Sequence, residues 1–583
     1  MAKKPRRFIN RSSLSVLASS ISVLAGALQP ACGDETITLP NNLRSFPPLS
    51  SDLPYDVDVK EVRKLDKEGK ILTAQREFDI LAWQAFLALN WPADASGTPL
   101  DAKYFNNTEA PRIWSFWRTA DSIFLPDGAD PKPWSEGGNG QNNTLYRAKA
   151  AWRQNTTPAS ENFEAFSGPL VDQNGNWVRY EVLVNREEFD YLVGNKLFNL
   201  DGQVEFSRRE KDNEVMFPVN EGTTKHGAIE IKLAWKQLGK NDDRSRFYVT
   251  KVKVAKSEPY KPGQTQPEME EIEAGLVGMH ISMRTESSPE WIWATFEQVD
   301  NVRQNKDAHG NLSHPNFYNP NQPQPVNVLP PKNAVIDPAT GSPVITTDSA
   351  SASTWVESLT KTPVQLARIK VPTQPGLNPL DASITAEANA LNTDVQQILQ
   401  KAGSVFQYYE LIGTQWPVHP NAPAFAGGEG SAPESIKNKT PGDVVPVFNI
   451  NTTMETYFQK GQQPAGPLEQ DDRLSPTAPP IDSTVVTGTE SCVGCHYSSG
   501  ICIGFKTDLN GKPVLQNGQR VPVFGENNHF GKTGGANFSW LLQIEARAKP
   551  VKPEATKEAG AVRNPARFLQ TETPKDLQLH KAE

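Results

Sequence analysis

Four cysteines and eight histidines are spread through 583 residues, and three of these twelve stand together in Cys492-Val493-Gly494-Cys495-His496. The C-x-x-C-H spacing suits covalent attachment of a c-type haem. Each thiol adds to a vinyl group on one edge of the porphyrin, and the adjoining imidazole reaches under the ring to the iron as an axial ligand. Cys492 and Cys495 are therefore expected to bind the cofactor and His496 to bind the metal. Two other chemistries draw on the same residue types. A redox-active disulfide uses the C-x-x-C pair but has no need of a histidine directly after it. A zinc site takes four ligands, which Cys492, Cys495, His496 and Cys502 supply in number. The adjacency of Cys495 and His496 constrains a shared tetrahedron, and the second cysteine pair of a zinc ribbon is missing. One covalent haem is the expected cofactor.

The far side of the iron decides between electron transfer and reactivity. His529, 33 residues beyond His496 in the loop GENNHFGKTGG, is one candidate sixth ligand, and Met454 in NTTMETYF is another. An exposed loop histidine and a buried core methionine are the plainer readings of the two, and a vacant position is the third option. His226 and His280 fall at or in strand-like stretches, where they either line a cavity or serve as hydrogen-bonded structural histidines. Trp291 and Trp293, followed by Glu297 and Asp300, read as a packing layer on one strand face, with a redox-active aromatic and acid as the alternative. Cys502 is a buried thiol or a disulfide partner for Cys32. No G-x-S-x-G, H-E-x-x-H, P-loop or EF-hand pattern occurs in a fitting context, so hydrolysis and nucleotide binding lack support. No catalytic residue is assigned.

The CVGCH segment resembles the cytochrome c superfamily, over the pentapeptide and the region that follows it to residue 548. That resemblance implies thioethers at Cys492 and Cys495 and a proximal ligand at His496. Small electron-carrying members place a methionine ligand tens of residues after the motif, whereas the last methionine here is Met454. A His/Met pair would thus need an upstream residue. FDILAWQAFLALNWP, EWIWATFEQVDN and NTTMETYFQ are also similar to large exported bacterial proteins of the cytochrome c family, a likeness that carries no activity with it.

The N-terminus suits haem attachment outside the cytoplasm. Lys3, Lys4, Arg6, Arg7 and Arg11 precede an apolar run from Leu14 to Leu28, too short to span a bilayer. Gln29-Pro30-Ala31-Cys32 follows as a cleavage region, so residues 1–32 read as a secretory signal. Cys32 offers a lipid-anchor site, although Gln29 replaces the aliphatic residue a lipobox prefers. Arg6-Arg7 faintly resembles a twin-arginine signal. A periplasmic or exported protein is expected, with a membrane-tethered lipoprotein as the variant and no membrane span. The net charge is −8, and the segment to Cys32 holds five basic residues and no acid, which leaves the remainder near −13. Such a chain suits a redox partner protein and argues against nucleic acid.

The elements that must position the motif read as follows. Residues 33–58 form an extended tether, 59–430 a large body, 431–548 the haem-binding region and 549–583 a flexible tail. Helical spacing predicts helices over Gln75 to Asn90 and Ser383 to Ala402, the second stopped by Gly403. A further helix is expected near Phe538 to Ala548. Alternation predicts strands over Val178 to Val184, Ile229 to Trp235, Tyr248 to Val254, Val277 to Met283 and Trp291 to Glu297. Val405 to Leu411 and Val444 to Phe448 are weaker strand signals. Residues 95–170 and 303–350 read as loops, and 420–443 and 462–485 as linkers.

The expected class is α+β: a large mixed body with a mainly antiparallel sheet and flanking helices, plus a small C-terminal cytochrome c-like haem segment. The expected function is electron transfer by an exported monohaem c-type cytochrome. The alternative is a haem-dependent oxidoreductase, peroxidase-like or oxygen-using, with an open iron site in a pocket of the body; a gas-sensing module is a third reading.

Overall fold

A computed structural model describes residues 39–125, 127–137, 168–209, 215–255, 269–306, 310–322, 324–336, 343–348, 351–353, 355–357, 359–368, 380–417, 444–446, 449–456, 467–468, 481–482, 492–496, 499–516, 519–525 and 534–550. The strands are β1 (Arg118–Thr119), β2 (Arg179–Val184), β3 (Ile229–Gln237), β4 (Val249–Ala255), β5 (Met269–Met283), β6 (Ile292–Gln298), β7 (Ala334–Ile336), β8 (Pro343–Ile345), β9 (Tyr409–Pro417) and β10 (Val444–Val445). Eight of them form one antiparallel sheet in the order β1-β2-β3-β5-β6-β9-β10, with β4 also pairing β5, while β7 and β8 form a separate ladder. The long β5 pairs β3 and β6 over its C-terminal half and β4 over its N-terminal half.

Alternation gives the sheet two faces of different character. Ile229, Ile231 and Leu233 on β3, Met279, Ile281 and Met283 on β5, and Ile292, Ala294 and Phe296 on β6 belong to one apolar cluster. Helix α2 (Ile71–Leu89) and α6 (Leu380–Lys401) pack on that face. Buried on nearly all sides, α2 is enclosed by the sheet, by α6 and by α1 (Val59–Lys67). Gln75 ties α2 to β9: its amide donates to the Thr414 carbonyl at 2.9 Å and accepts from Trp416 Nε1 at 2.8 Å. On α6 the expected stripe of Ile384, Ala388, Leu391, Val395 and Leu399 is buried, and Gly403 with φ +65° follows the end of the helix. The N-terminal stretch expected as a tether is extended, but from Leu39 it lies against the body, with Phe46, Leu49, Leu53 and Val57 packed on the same cluster.

The opposite face is polar where it crosses β3, β5 and β6, and it carries the C-terminal residues. Helices α3 (Ala120–Ile123), α4 (Arg186–Gly194) and α5 (Leu200–Arg209) lie on this side. The sequence carries a start signal for α4: Asn185 caps it, accepting from Glu188 N at 3.1 Å, and Glu187 and Glu188 fill its first turn. Further along come β11 (Pro467–Leu468), β12 (Ile481–Asp482), α7 (Cys492–His496), β13 (Cys502–Phe505), β14 (Leu515–Gln516), β15 (Gln519–Arg520), β16 (Pro522–Phe524) and α8 (Leu541–Ile544).

The helix expected over Phe538 to Ala548 is a single turn. Phe538 stands in the left-handed region at φ 70°, and Arg547 leaves the helix to pair its carbonyl with Leu200 N at 3.1 Å. The strand expected from Val405 begins at Tyr409, after a turn capped by Ser404. Of the strand expected over Val444 to Phe448, the described residues hold Val444–Val445, and 447–448 lie outside them. The 420–443 linker and the tail beyond 550 lie outside the described residues, as does most of 462–485. Among the described residues no helix is long and apolar enough to cross a membrane.

Candidate functional site

Strand register arranges the polar face in rows. Glu230 pairs with Ser282, Ser282 with Trp293 and Trp293 with Gln415, giving one row across β3, β5, β6 and β9. Two residues along, Lys232 pairs with His280, His280 with Thr295 and Thr295 with Gly413. Side chains at directly opposed positions of a sheet stand within about 5.5 Å of one another. Each row is thus a line of neighbouring functional groups.

The first row holds the C-x-x-C-H helix. Val493 is buried in the cluster that contains Trp291 and Trp293, and its backbone N–H donates to Gln415 Oε1 at 2.8 Å. The Gln415 amide donates in turn to the Pro446 carbonyl at 2.6 Å. Cys492 Sγ lies 3.6 Å from the Asn449 carbonyl and 3.7 Å from Asn449 Nδ2. The His496 ring packs on Trp293, 4.4 Å between centroids, and the Trp293 indole N–H donates to the Glu290 carbonyl at 2.9 Å. The His496 carbonyl accepts from Ser499 N at 3.1 Å.

His496 Nδ1 lies 2.7 Å from the Phe538 carbonyl oxygen. A carbonyl only accepts, so Nδ1 carries the proton and Nε2 the lone pair. Burial pushes the imidazole down to about 4; the Phe538 bond works the other way, and His280 and Lys232 add to the depression. The ring is consequently neutral across the physiological range, with its tautomer fixed. A histidine that binds metal characteristically donates its other N–H to a carbonyl or carboxylate, which sets its orientation and raises its basicity. The donor chemistry of His496 therefore fits an axial iron ligand.

The second row adds charge beside the motif. Glu455 Oε1 lies 3.5 Å from His280 Nε2. Burial raises the Glu455 carboxyl, but His280 and Lys232 more than offset this and leave it below the usual carboxylate range. Glu455 belongs to a buried polar segment, Asn449 to Thr456, that crosses over β5 and β6. Asn451 Nδ2 donates to Thr295 Oγ1 at 3.0 Å and to the Phe296 carbonyl at 2.9 Å. The crossing requires glycine at 278, since a Cβ there would sit 2.3 Å from Thr453 Oγ1.

The remaining residues singled out in the sequence separate into groups. Met454 is fully buried in a third apolar cluster that includes Tyr180 and Val277. His226 stacks on Tyr55 at 4.0 Å beneath the N-terminal stretch. Glu297 braces the Asn449 segment, accepting from Thr452 N at 2.6 Å and pairing with Arg368 at 2.7 Å. Asp300 takes both Nε and Nη2 of Arg246, at 2.5 and 2.9 Å. Cys502 is a free, buried thiol that donates to the Gly504 carbonyl at 3.0 Å, and burial pushes it up to about 11. It packs with α5 through a 2.8 Å bond from its N–H to Gln203 Oε1, which leaves it in the core rather than in a cluster with His496.

His529 and Cys32 lie outside the described residues. Cys495 takes its place in the backbone of α7. Among the described residues no group of three or more His, Cys, Asp or Glu side chains converges to hold a metal ion. Gln415, Asn449, Glu455 and the Phe538 carbonyl carry no signal in local spacing. Comparison with family models, with curated proteins and with solved structures finds no match for this chain.

Proposed function

We propose that this chain is an exported c-type cytochrome carrying one haem, attached at Cys492 and Cys495 and ligated by His496, and that it transfers electrons to or from a partner protein. The observation that carries the reading is His496: neutral, held by the Phe538 carbonyl through Nδ1 and backed by Trp293. When bound, haem supplies a one-electron couple. The chain fixes the imidazole, packs it on Trp293, buries Val493 of the motif among apolar residues, and anchors the motif helix through Gln415 and Asn449. The basic, acid-free N-terminus and apolar run support delivery beyond the cytoplasm, where haem attachment acts on an unfolded exported chain.

A second reading has its own observation. Lys232 and His280, with Glu455 3.5 Å from His280, place a set of ionisable groups beside His496, which a simple carrier does not require. Such groups suit a haem-dependent oxidoreductase with an open iron position, where they would move protons. The optical spectrum of the reduced, purified protein with and without carbon monoxide separates the two. A low-spin spectrum unmoved by the gas supports the carrier; a spectrum that shifts on its addition supports the oxidoreductase.

A further inference from the structure

Non-glycine residues seldom adopt φ above zero, and bulky ones least of all. Among the described residues five do so: Lys196, Trp291, Asn327, Asn537 and Phe538. Three of the five meet at one point. Trp291, with φ 67°, donates its indole N–H to the Asn537 carbonyl at 3.1 Å. Asn537 and Phe538 follow one another at φ 49° and 70°, and Phe538 presents the carbonyl that His496 Nδ1 engages at 2.7 Å. Strained backbone of this kind persists where surrounding contacts over-determine it. Here they come from three directions. Beyond the indole, Asn537 Oδ1 accepts from Phe217 N at 3.2 Å, and Ser539 Oγ donates to Glu230 Oε2 at 3.0 Å on the other side of Phe538.

We propose that Trp291 is a positioning residue for the iron ligand. Its indole N–H holds Asn537 and Phe538 in the left-handed conformation that points the Phe538 carbonyl at His496 Nδ1, with Ser539 bracing the far flank. The inference rests on the haem reading above. A firm acceptor at Nδ1 makes the imidazole a stronger donor and favours oxidised iron. Loosening the clamp therefore raises the reduction potential and frees the Nδ1 proton to exchange.

The test uses the full-length holoprotein and Trp291→Phe, which keeps a ring in the cluster and removes the N–H. Spectroelectrochemistry should show the ratio of reduced to oxidised protein at a fixed applied potential rising about tenfold, equal to about 59 mV for a one-electron couple. The Nδ1 proton should exchange faster in the same variant. Ser539→Ala should shift both readouts in the same direction by less, and it decides the matter if Trp291→Phe does not fold. A variant that melts earlier yet keeps the parent potential and proton exchange reduces Trp291 to a packing residue and overturns the inference. Parent protein without covalent haem overturns the haem reading itself, which distinguishes the two failures.

Discussion

Glu188 tests the electrostatics of the layer behind the His496 clamp. Its side chain is fully buried on α4, and neither carboxyl oxygen has a hydrogen-bond partner among the described residues. Burial first, and then the carboxylate of Glu230, hold its pKa well above the ordinary value of 4.5. The folded state therefore keeps a proton that the unfolded chain releases as the pH rises past 4.5. Stability from this group is fully present below that value and declines with rising pH, by about 1.4 kcal/mol per unit until the folded pKa is reached.

The substitution Glu188→Gln keeps the shape of the protonated carboxyl and cannot ionise. Near pH 4 the variant and parent should match. Above pH 4.5 the variant should become progressively the more stable, by about 1.4 kcal/mol for each pH unit over which the folded parent keeps its proton. Melting temperatures measured for both proteins from pH 4 to 8, at one scan rate, give the comparison directly. Two curves separated by a constant offset would mean that Glu188 is ionised or well partnered in the fold, and the reasoning would be wrong.

Other consequences concern the motif and its surroundings. Gln415→Leu leaves the Val493 N–H and the Pro446 carbonyl without Gln415, and should destabilise the protein by about 2–4 kcal/mol. An unchanged denaturant midpoint would show that Gln415 does not anchor the helix. Cys502, buried and pushed up to about 11, should be about one part in a thousand thiolate at pH 8. Native protein should resist alkylation at this residue by mass-mapped peptides, and rapid labelling would place it at the surface.

Much of the scaffold is legible in the sequence because burial there follows simple periods. The alternation of Ile229, Ile231 and Leu233 against Glu230 and Lys232 identifies both a strand and its two faces, and the stripe from Ile384 to Leu399 identifies α6. Pattern fails where backbone conformation is decided from afar. The helix expected over Phe538 to Ala548 shrinks to Leu541–Ile544 because the Phe538 carbonyl serves His496 at one end and the Arg547 carbonyl serves Leu200 at the other. Asn449 to Thr456 looks like a polar loop, yet it is a buried crossing that depends on Gly278 of another strand. Trp293 reads as packing, and it does pack, but its neighbour is the imidazole of His496. Sequence spacing names the motif; strand register supplies its surroundings.

The central claim is a covalent one, and the mass of the mature protein tests it most directly. Material produced with a c-type haem attachment system should carry one haem per chain through full denaturation and stain for peroxidase on a denaturing gel. Replacing Cys492 and Cys495 together with alanine should abolish both the added mass and the stain. A colourless mature chain with the mass of its polypeptide alone would contradict the account.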